Sequence, residues 1–380
     1  MREAYIVSAL RTPTGRRRGM FSEVLPLTLS TIAVKTVVAQ TGVDPADVDD
    51  VILGCVTPIG EQGANIARLT ALNARFPVTV PGVTINRMCG SSQQAVHFAA
   101  QAIMAGDMDI VVAGGVEHMT RVPMASDYPQ TWPADFPYDL VNQGISAELI
   151  AEKWDLSRMA LDELGYESHL KAARATREGL FEEEIIPVPV PDGGAGPRVV
   201  SIDEGIRFDT SLEKMLSLRP AFKEDGVITA GNSSQISDGA AALIVASQAA
   251  MQRYNLAPMA RIVARTVVGD DPILMLAGVI PATRQALKRA GLTVDDIDIF
   301  EVNEAFASVV LAWMTEIQPD PAKVNPRGGA IALGHPLGAS GARIMTTLVH
   351  ELRQTGGRYG LQVMCIGHGM ATATIIENLA

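Results

Sequence analysis

Short apolar runs of strand length, separated by stretches of helical character, recur along this 380-residue chain and restrict it to an α/β layer fold. Tyr5-Ile6-Val7, Val51-Ile52-Leu53, Val83-Thr84-Ile85 and Asp109-Ile110-Val111-Val112 carry the pattern through the first third. It returns at residues 240–246 and continues through 260–268, 297–302 and 361–366. Between 119 and 231 the character changes to Pro-, Trp-, Tyr- and charge-rich sequence, with a helical stretch over 144–177 and an extended Pro-rich segment near 185–197. A chain of this length exceeds the size at which one core keeps growing. The predicted layout is therefore two α/β halves, residues 1–118 with 238–257 and residues 258–380, flanking an inserted region over 119–237.

Charge narrows the partners. Thirty-one Lys and Arg against 42 Asp and Glu leave a net charge of −11, which argues against a broad nucleic-acid surface. The longest uncharged stretches, 88–106 and 328–342, are broken by Gly, Pro, Ser or Gln, so neither reads as a membrane span. The N-terminus opens on a strand-like run with no apolar leader, and the last residues match no retention or peroxisomal signal. A cytoplasmic protein is the expectation. The cysteines, Cys55, Cys89 and Cys365, lie too far apart for a CxxC redox or zinc pattern, and no metal-ligand spacing accompanies them.

Cys89 lies in Asn86-Arg87-Met88-Cys89-Gly90-Ser91-Ser92, between a strand-like run and a helix with apolar residues at Ala95, Phe98, Ala99, Ala102 and Ile103. A thiol at a helix N-terminus meets unpaired N–H groups and the positive end of the macrodipole, which favour thiolate. A buried inert cysteine is the competing reading; the small polar neighbours favour a nucleophile. Residues 325–341 pack glycines around His335, without the Lys of a phosphate loop or a dinucleotide GxGxxG. Such a loop presents an imidazole to a pocket, or else holds a structural histidine. Cys365-Ile366-Gly367-His368-Gly369 ends another strand-like run, so one thiol can act as nucleophile and the other as proton carrier if their environments differ. Cys55 reads as core, and His97, His118, His169 and His350 read as structural or surface groups. Glu301 and Glu304 around Asn303 form either a carboxylate pair for acid–base work or structural salt links.

Together these motifs resemble the thiolase family across essentially the whole chain. In the family's order come the Cys89 motif, Gly114-Gly115-Val116-Glu117-His118-Met119, residues 231–239, Asn303-Glu304-Ala305-Phe306-Ala307, the 328–341 loop and the Cys365 motif. The resemblance implies a five-layer α/β/α/β/α sandwich of two similar βαβαβαββ halves with an inserted loop domain, assembled as homodimers or homotetramers. By position, Cys89 resembles the acyl-accepting nucleophile, His335 its activator and Cys365 the proton-shuttling thiol. Asn303 resembles the residue that holds a water beside His335 at the enolate oxygen. The N–H groups of Cys89 and Gly367 resemble a second oxyanion site. Ser234 resembles a pantetheine contact, and Ala305 and Phe306 the wall along that arm.

The implied activity is 3-ketoacyl-CoA thiolysis in degradation of fatty acids or related acyl chains, with coenzyme A as substrate, no tightly bound cofactor and association with other β-oxidation enzymes. That chemistry develops two oxyanions, one at the attacked carbonyl and one on the departing enolate, and so needs two donor sites. Acetoacetyl-CoA thiolysis is the alternative; residues 127–140 lack the His-Met pair of short-chain biosynthetic members, and 231–239 resembles degradative ones. His368 stands where many members have glycine, and Pro326-Arg327 alters a stretch that is often Asn-Gly-like. A condensing synthase of the same fold would lack Cys365, and a non-catalytic coenzyme A-binding scaffold would not need the full set.

Overall fold

The structure, a computed structural model, describes residues 2–194 and 196–380. Strand β1 (Tyr5–Arg11) is buried along its whole length, as a continuous apolar strand is when both sheet faces are covered. After it come the two-residue β2 (Gly15–Arg16), α1 (Pro26–Thr41), β3 (Asp50–Gly54), α2 (Ile66–Asn73), β4 (Gly82–Ile85), α3 (Ser91–Ala105) and β5 (Ile110–His118). The insertion supplies α4 (Gln143–Lys153), α5 (Arg158–Arg177), a hairpin of β6 (Val188–Val190) and β7 (Arg198–Val200), and α6 (Leu212–Leu216). The chain returns through β8 (Ser237–Ala246) and α7 (Gln248–Tyr254). The second half holds β9 (Ala260–Gly269), α8 (Val279–Ala290), β10 (Ile299–Val302), α9 (Ala307–Ile317) and the single turn α10 (Ala330–Leu333). It ends with α11 (Leu337–Thr355), β11 (Tyr359–Ile366) and β12 (Met370–Asn378).

Strand pairing runs β10-β11-β12-β9-β1-β8-β5-β3-β4. Among the described residues the two halves of this run pair at Tyr5 with Arg261 and Ile6 with Ala260, a short seam joining two sheets at one edge. Helices α3 and α11 pack on each other, and α11 touches strands of both sheets. A cluster including Val96 and Ile103 of α3, Met345 and Leu348 of α11, Leu243 of the first sheet and Ile376 of the second fills this middle layer. A second cluster seals α1 and α2 against the first sheet, and a third seals α8 and α9 against the other. The layers are thus α/β/α/β/α. Among the described residues no helix is long and apolar enough to cross a membrane.

The details depart from the sequence pattern where packing overrides it. The helical stretch over 144–177 is two helices, broken at Asp155 in a left-handed conformation (φ 50°) and restarted where Ser157 caps the Ala160 N–H. The Pro-rich segment forms the β6–β7 hairpin. Phe98 is 40% exposed, because α3 buries a polar face instead: Gln93 and His97 bond Thr374 on β12, and the Thr372 hydroxyl donates to Gln93. Those inward threonines also explain why β12 escaped the apolar pattern. In the second half, the strand equivalent to β4 shrinks to one parallel bridge, Phe300 with Val324, beside a turn containing Pro321. Proline there cannot donate to a ladder.

The middle layer sits close to the first sheet because of glycines. A methyl group on Gly115 would overlap the carbonyl oxygen of Gly338 at the start of α11, and one on Gly54 would lie 2.6 Å from Ser91 Cβ at the start of α3. Both helix starts are therefore pressed onto the ends of β3 and β5. Gly115→Ala is expected to lower stability by roughly 1–3 kcal/mol, the range for overpacking a tight core, and to cut turnover by shifting α11. A melting temperature equal to wild type would show that this approach is looser than described.

Candidate active site

Cys89 is held by a turn, with Met88 at φ 44° and the Ser91 hydroxyl bridging the Arg87 N–H and the Met88 carbonyl. A side chain on Gly90 would overlap Ile366, so the residue after the thiol must be small. Helix α3 begins at Ser91 with Gly90 as its cap, which leaves Cys89 one residue outside the helix. The thiol is buried. Its pKa is pushed up to about 12, first by burial and then by nearby Cys365, against the lowering effect of the Gly367 N–H, its own N–H and the Gln143 side chain. The expected thiolate at a helix N-terminus is thereby corrected: desolvation outweighs the dipole, and the sulfur rests as a thiol.

Cys365, at the end of β11, is fully buried and pushed up to about 11 by burial, opposed mainly by the Asn303 side chain. Asn303 follows β10, where its N–H donates to the Val363 carbonyl at 3.0 Å. Its side-chain nitrogen lies 3.5 Å from Cys365 Sγ and 3.5 Å from His335 Nε2. Its side-chain oxygen is buried without a protein partner. Strand-end geometry and the 328–341 loop therefore bring Asn303, His335 and Cys365 together.

His335 follows Gly334, which takes φ 91° and has no room for a side chain beside Ser237. The Ser340 hydroxyl donates to the Pro336 carbonyl at 2.8 Å, so its oxygen accepts from His335 Nδ1 at 2.6 Å. Nδ1 then carries the hydrogen and Nε2 the free lone pair, with the Asn303 amide donating to it. Burial, helped by the Arg343 charge, lowers the imidazole to about 3. The ring is neutral at working pH.

His335 lines a cavity of about 660 Å³ whose wall also holds Gly367, Ser234, Ala305, Phe306 and the insertion's Tyr128 and Trp132, among others. The Ser234 N–H donates to the Ala305 carbonyl at 2.9 Å, and Phe306 meets Phe222 edge-on at 5.8 Å. His368, at φ 63°, turns its ring onto Tyr128 with centroids 5.9 Å apart. It therefore forms part of the cavity wall.

Other candidates are structural. Glu304 accepts from Ser168, Asn325 and the Ile331 N–H. Glu301 is buried and pushed up to about 8 by burial, opposed by Arg343. Neither lines the cavity. Cys55 is core. His97, His118, His169 and His350 are all buried and hydrogen-bonded. Sequence reading missed Ser340 and Gln143. Ser340, five residues after His335 at the start of α11, had a faint signal; Gln143, on a separate helix, had none.

Residues 4–249 match the thiolase N-terminal domain family, and residues 256–378 the thiolase C-terminal domain family. The chain belongs to the thiolase family. It is 49% identical, over all of its length and 95% of the relative's, to a steroid 3-ketoacyl-CoA thiolase of Mycobacterium tuberculosis. The crystal structure of human mitochondrial 3-ketoacyl-CoA thiolase superposes with a TM-score of 0.92 at 38% identity, covering 100% of this chain and 99% of that one. Bacillus anthracis acetyl-CoA acetyltransferase gives 0.93 at 37% identity with the same coverage. This thiolase is an acyltransferase that acts on coenzyme A thioesters.

Ser340→Ala removes the acceptor that fixes the His335 tautomer. It is expected to lower kcat by between roughly ten- and a thousandfold, bounded by what a general base contributes, with KM for coenzyme A little changed. An unaltered kcat would show that the ring is oriented without Ser340.

Proposed function

We propose that Cys89, His335, Cys365 and Asn303 carry out 3-ketoacyl-CoA thiolysis in this enzyme. The observation that carries the reading is a neutral imidazole, its Nε2 lone pair beside the Asn303 amide that also reaches Cys365, at the wall of a cavity that also presents the Gly367 backbone near Cys89. His335 takes the Cys89 proton as sulfur attacks C3 of the substrate. The C3 oxyanion is held by the N–H groups of Cys89 and Gly367. The C2–C3 bond then breaks, and its electron pair forms the enolate of acetyl-CoA. The His335 Nε2–H and a water held by Asn303 donate to the enolate oxygen.

Cys365 gives its proton to C2, releasing acetyl-CoA, and as thiolate takes the proton of an incoming coenzyme A thiol. That sulfur attacks the acyl-Cys89 carbonyl, the shortened acyl-CoA leaves, and the Cys89 thiolate recovers its proton from His335. Ser234, Ala305 and Phe306 flank the pantetheine arm in this reading, and coenzyme A is substrate, with no tightly bound cofactor. The aromatic wall of Tyr128, Trp132 and His368 supports a bulky, ring-bearing acyl group, as does the name of the mycobacterial relative. The enzyme is further read as a cytoplasmic homodimer or homotetramer working alongside other β-oxidation enzymes. The open edge at β4 supports self-association: Leu69, Leu72, Val78 and Val83 are exposed on or beside it.

The test is a panel of linear and ring-bearing 3-ketoacyl-CoA thioesters. Peptide mass spectrometry after brief incubation should find the acyl group on Cys89, with kcat/KM highest for ring-bearing members. His368→Gly should shift that ranking by about tenfold, the scale of a reshaped pocket. An adduct only on Cys365 would overturn the assignment, and a uniform loss across the panel would remove His368 from the acyl wall.

A further inference from the structure

Gln143 is the first residue of α4, on the insertion and far in sequence from every motif around Cys89. Its side chain reaches across the cavity wall to the turn after β11. A methyl group placed on Gly367 would lie 3.1 Å from Gln143 Nε2 on one side and 3.8 Å from Met88 Cγ on the other. The Gln143 amide nitrogen thus stands over the same short stretch of backbone whose N–H, with that of Cys89, faces the Cys89 sulfur. Its influence on the thiol has the same sign as theirs, favouring negative charge. Among the described residues the Gln143 side chain forms no hydrogen bond to a protein group away from this site, so its donors are free to turn to a ligand.

We propose that Gln143 is a third donor of the acyl oxyanion site, adding a side-chain amide to the backbone N–H groups of Cys89 and Gly367. The inference rests on Cys89 being the acyl acceptor. The chemistry suits a neutral amide. A carboxylate at this place would repel the oxyanion, and an apolar side chain would leave it two donors instead of three. Because the donor comes from the insertion, the acyl half of the site is completed only when α4 is docked against the second half, through Ala147 and Ile150 in the same cluster as Leu276 and Val310. Both covalent steps pass through a tetrahedral centre at the same carbon, so the amide would act in acylation and in thiolysis alike.

Gln143→Met removes the donors at nearly constant volume. Its single-turnover rate of Cys89 acylation, and its rate of acyl transfer to coenzyme A, should both fall by roughly ten- to a thousandfold, as for a lost oxyanion donor. KM for coenzyme A and melting temperature should stay at wild-type values. Gln143→Glu, which keeps the shape but brings negative charge, should be slower still at pH 8 and recover in part as the pH is lowered. If both variants acylate Cys89 at the wild-type rate, Gln143 is no donor, and the assignment of Cys89 stands. If instead wild type itself carries the acyl group elsewhere, the reading of Cys89 fails before the variants are compared. A loss confined to one acyl chain length would also overturn the proposal, since an oxyanion donor acts on every substrate.

Discussion

The buried carboxylate of Glu117 ties the two halves together where the chemistry sits. At the end of β5 it accepts from the backbone N–H groups of Val56 (2.8 Å), Thr57 (3.2 Å) and Gly338 (2.9 Å) and from the Gln62 amide (2.8 Å). Gly338 is three residues past His335, so one carboxylate joins the loop after β3 to the start of α11. Burial raises the Glu117 pKa while these four donors oppose that shift. Removing the carboxylate would strand four buried donors, each costly to leave unpaired. The glycines at 54, 115 and 338 serve the same junction from the steric side: they let two helix starts approach the strand ends closely enough for the carboxylate to reach across.

That junction sets the electrostatics of the site. Cys89, His335 and Cys365 are all buried, and burial disfavours whichever form of each is charged. Both thiols are pushed up and the imidazole down, to a resting state of two thiols and a neutral ring. Such a state is unreactive until a substrate oxygen arrives to share the charge. In the proposed reaction, proton transfer from Cys89 to His335 creates an anion and a cation together, with the donors around Gly367 and Asn303 beside them. Preorganised donors in a dry site act most strongly on charge that appears only during reaction.

The sequence pattern revealed the layers where strands were continuously apolar, as in β1, β5 and β8, and lost them where inward residues were polar, as in β12. The Cys89, Asn303, His335 and Cys365 segments stood out because each couples a strand end or helix start to glycines and small residues. What stayed hidden depends on distances between segments far apart in the chain. The acceptor role of Ser340 needs the α11 turn, the reach of Gln143 needs the docking of α4, and the high pKa of Cys89 needs the burial that the folded chain imposes. Its helix position alone suggested the opposite shift. Glu301 and Glu304 read in sequence as either an acid–base pair or structural links, and Glu304 is held by Ser168, Asn325 and the Ile331 N–H.

The central claim is that the reactivity of Cys89 comes from His335 and not from the start of α3. The direct measurement is the rate at which Cys89 is alkylated by iodoacetamide as a function of pH, read by peptide mass spectrometry in wild type and in His335→Ala. At pH 7 the variant should be slower by about a hundredfold or more, the scale of a lost general base. The two rates should converge as the pH rises toward the thiol's own value of about 12. Equal rates at pH 7 would mean that the sulfur is activated without the imidazole, and would contradict the account.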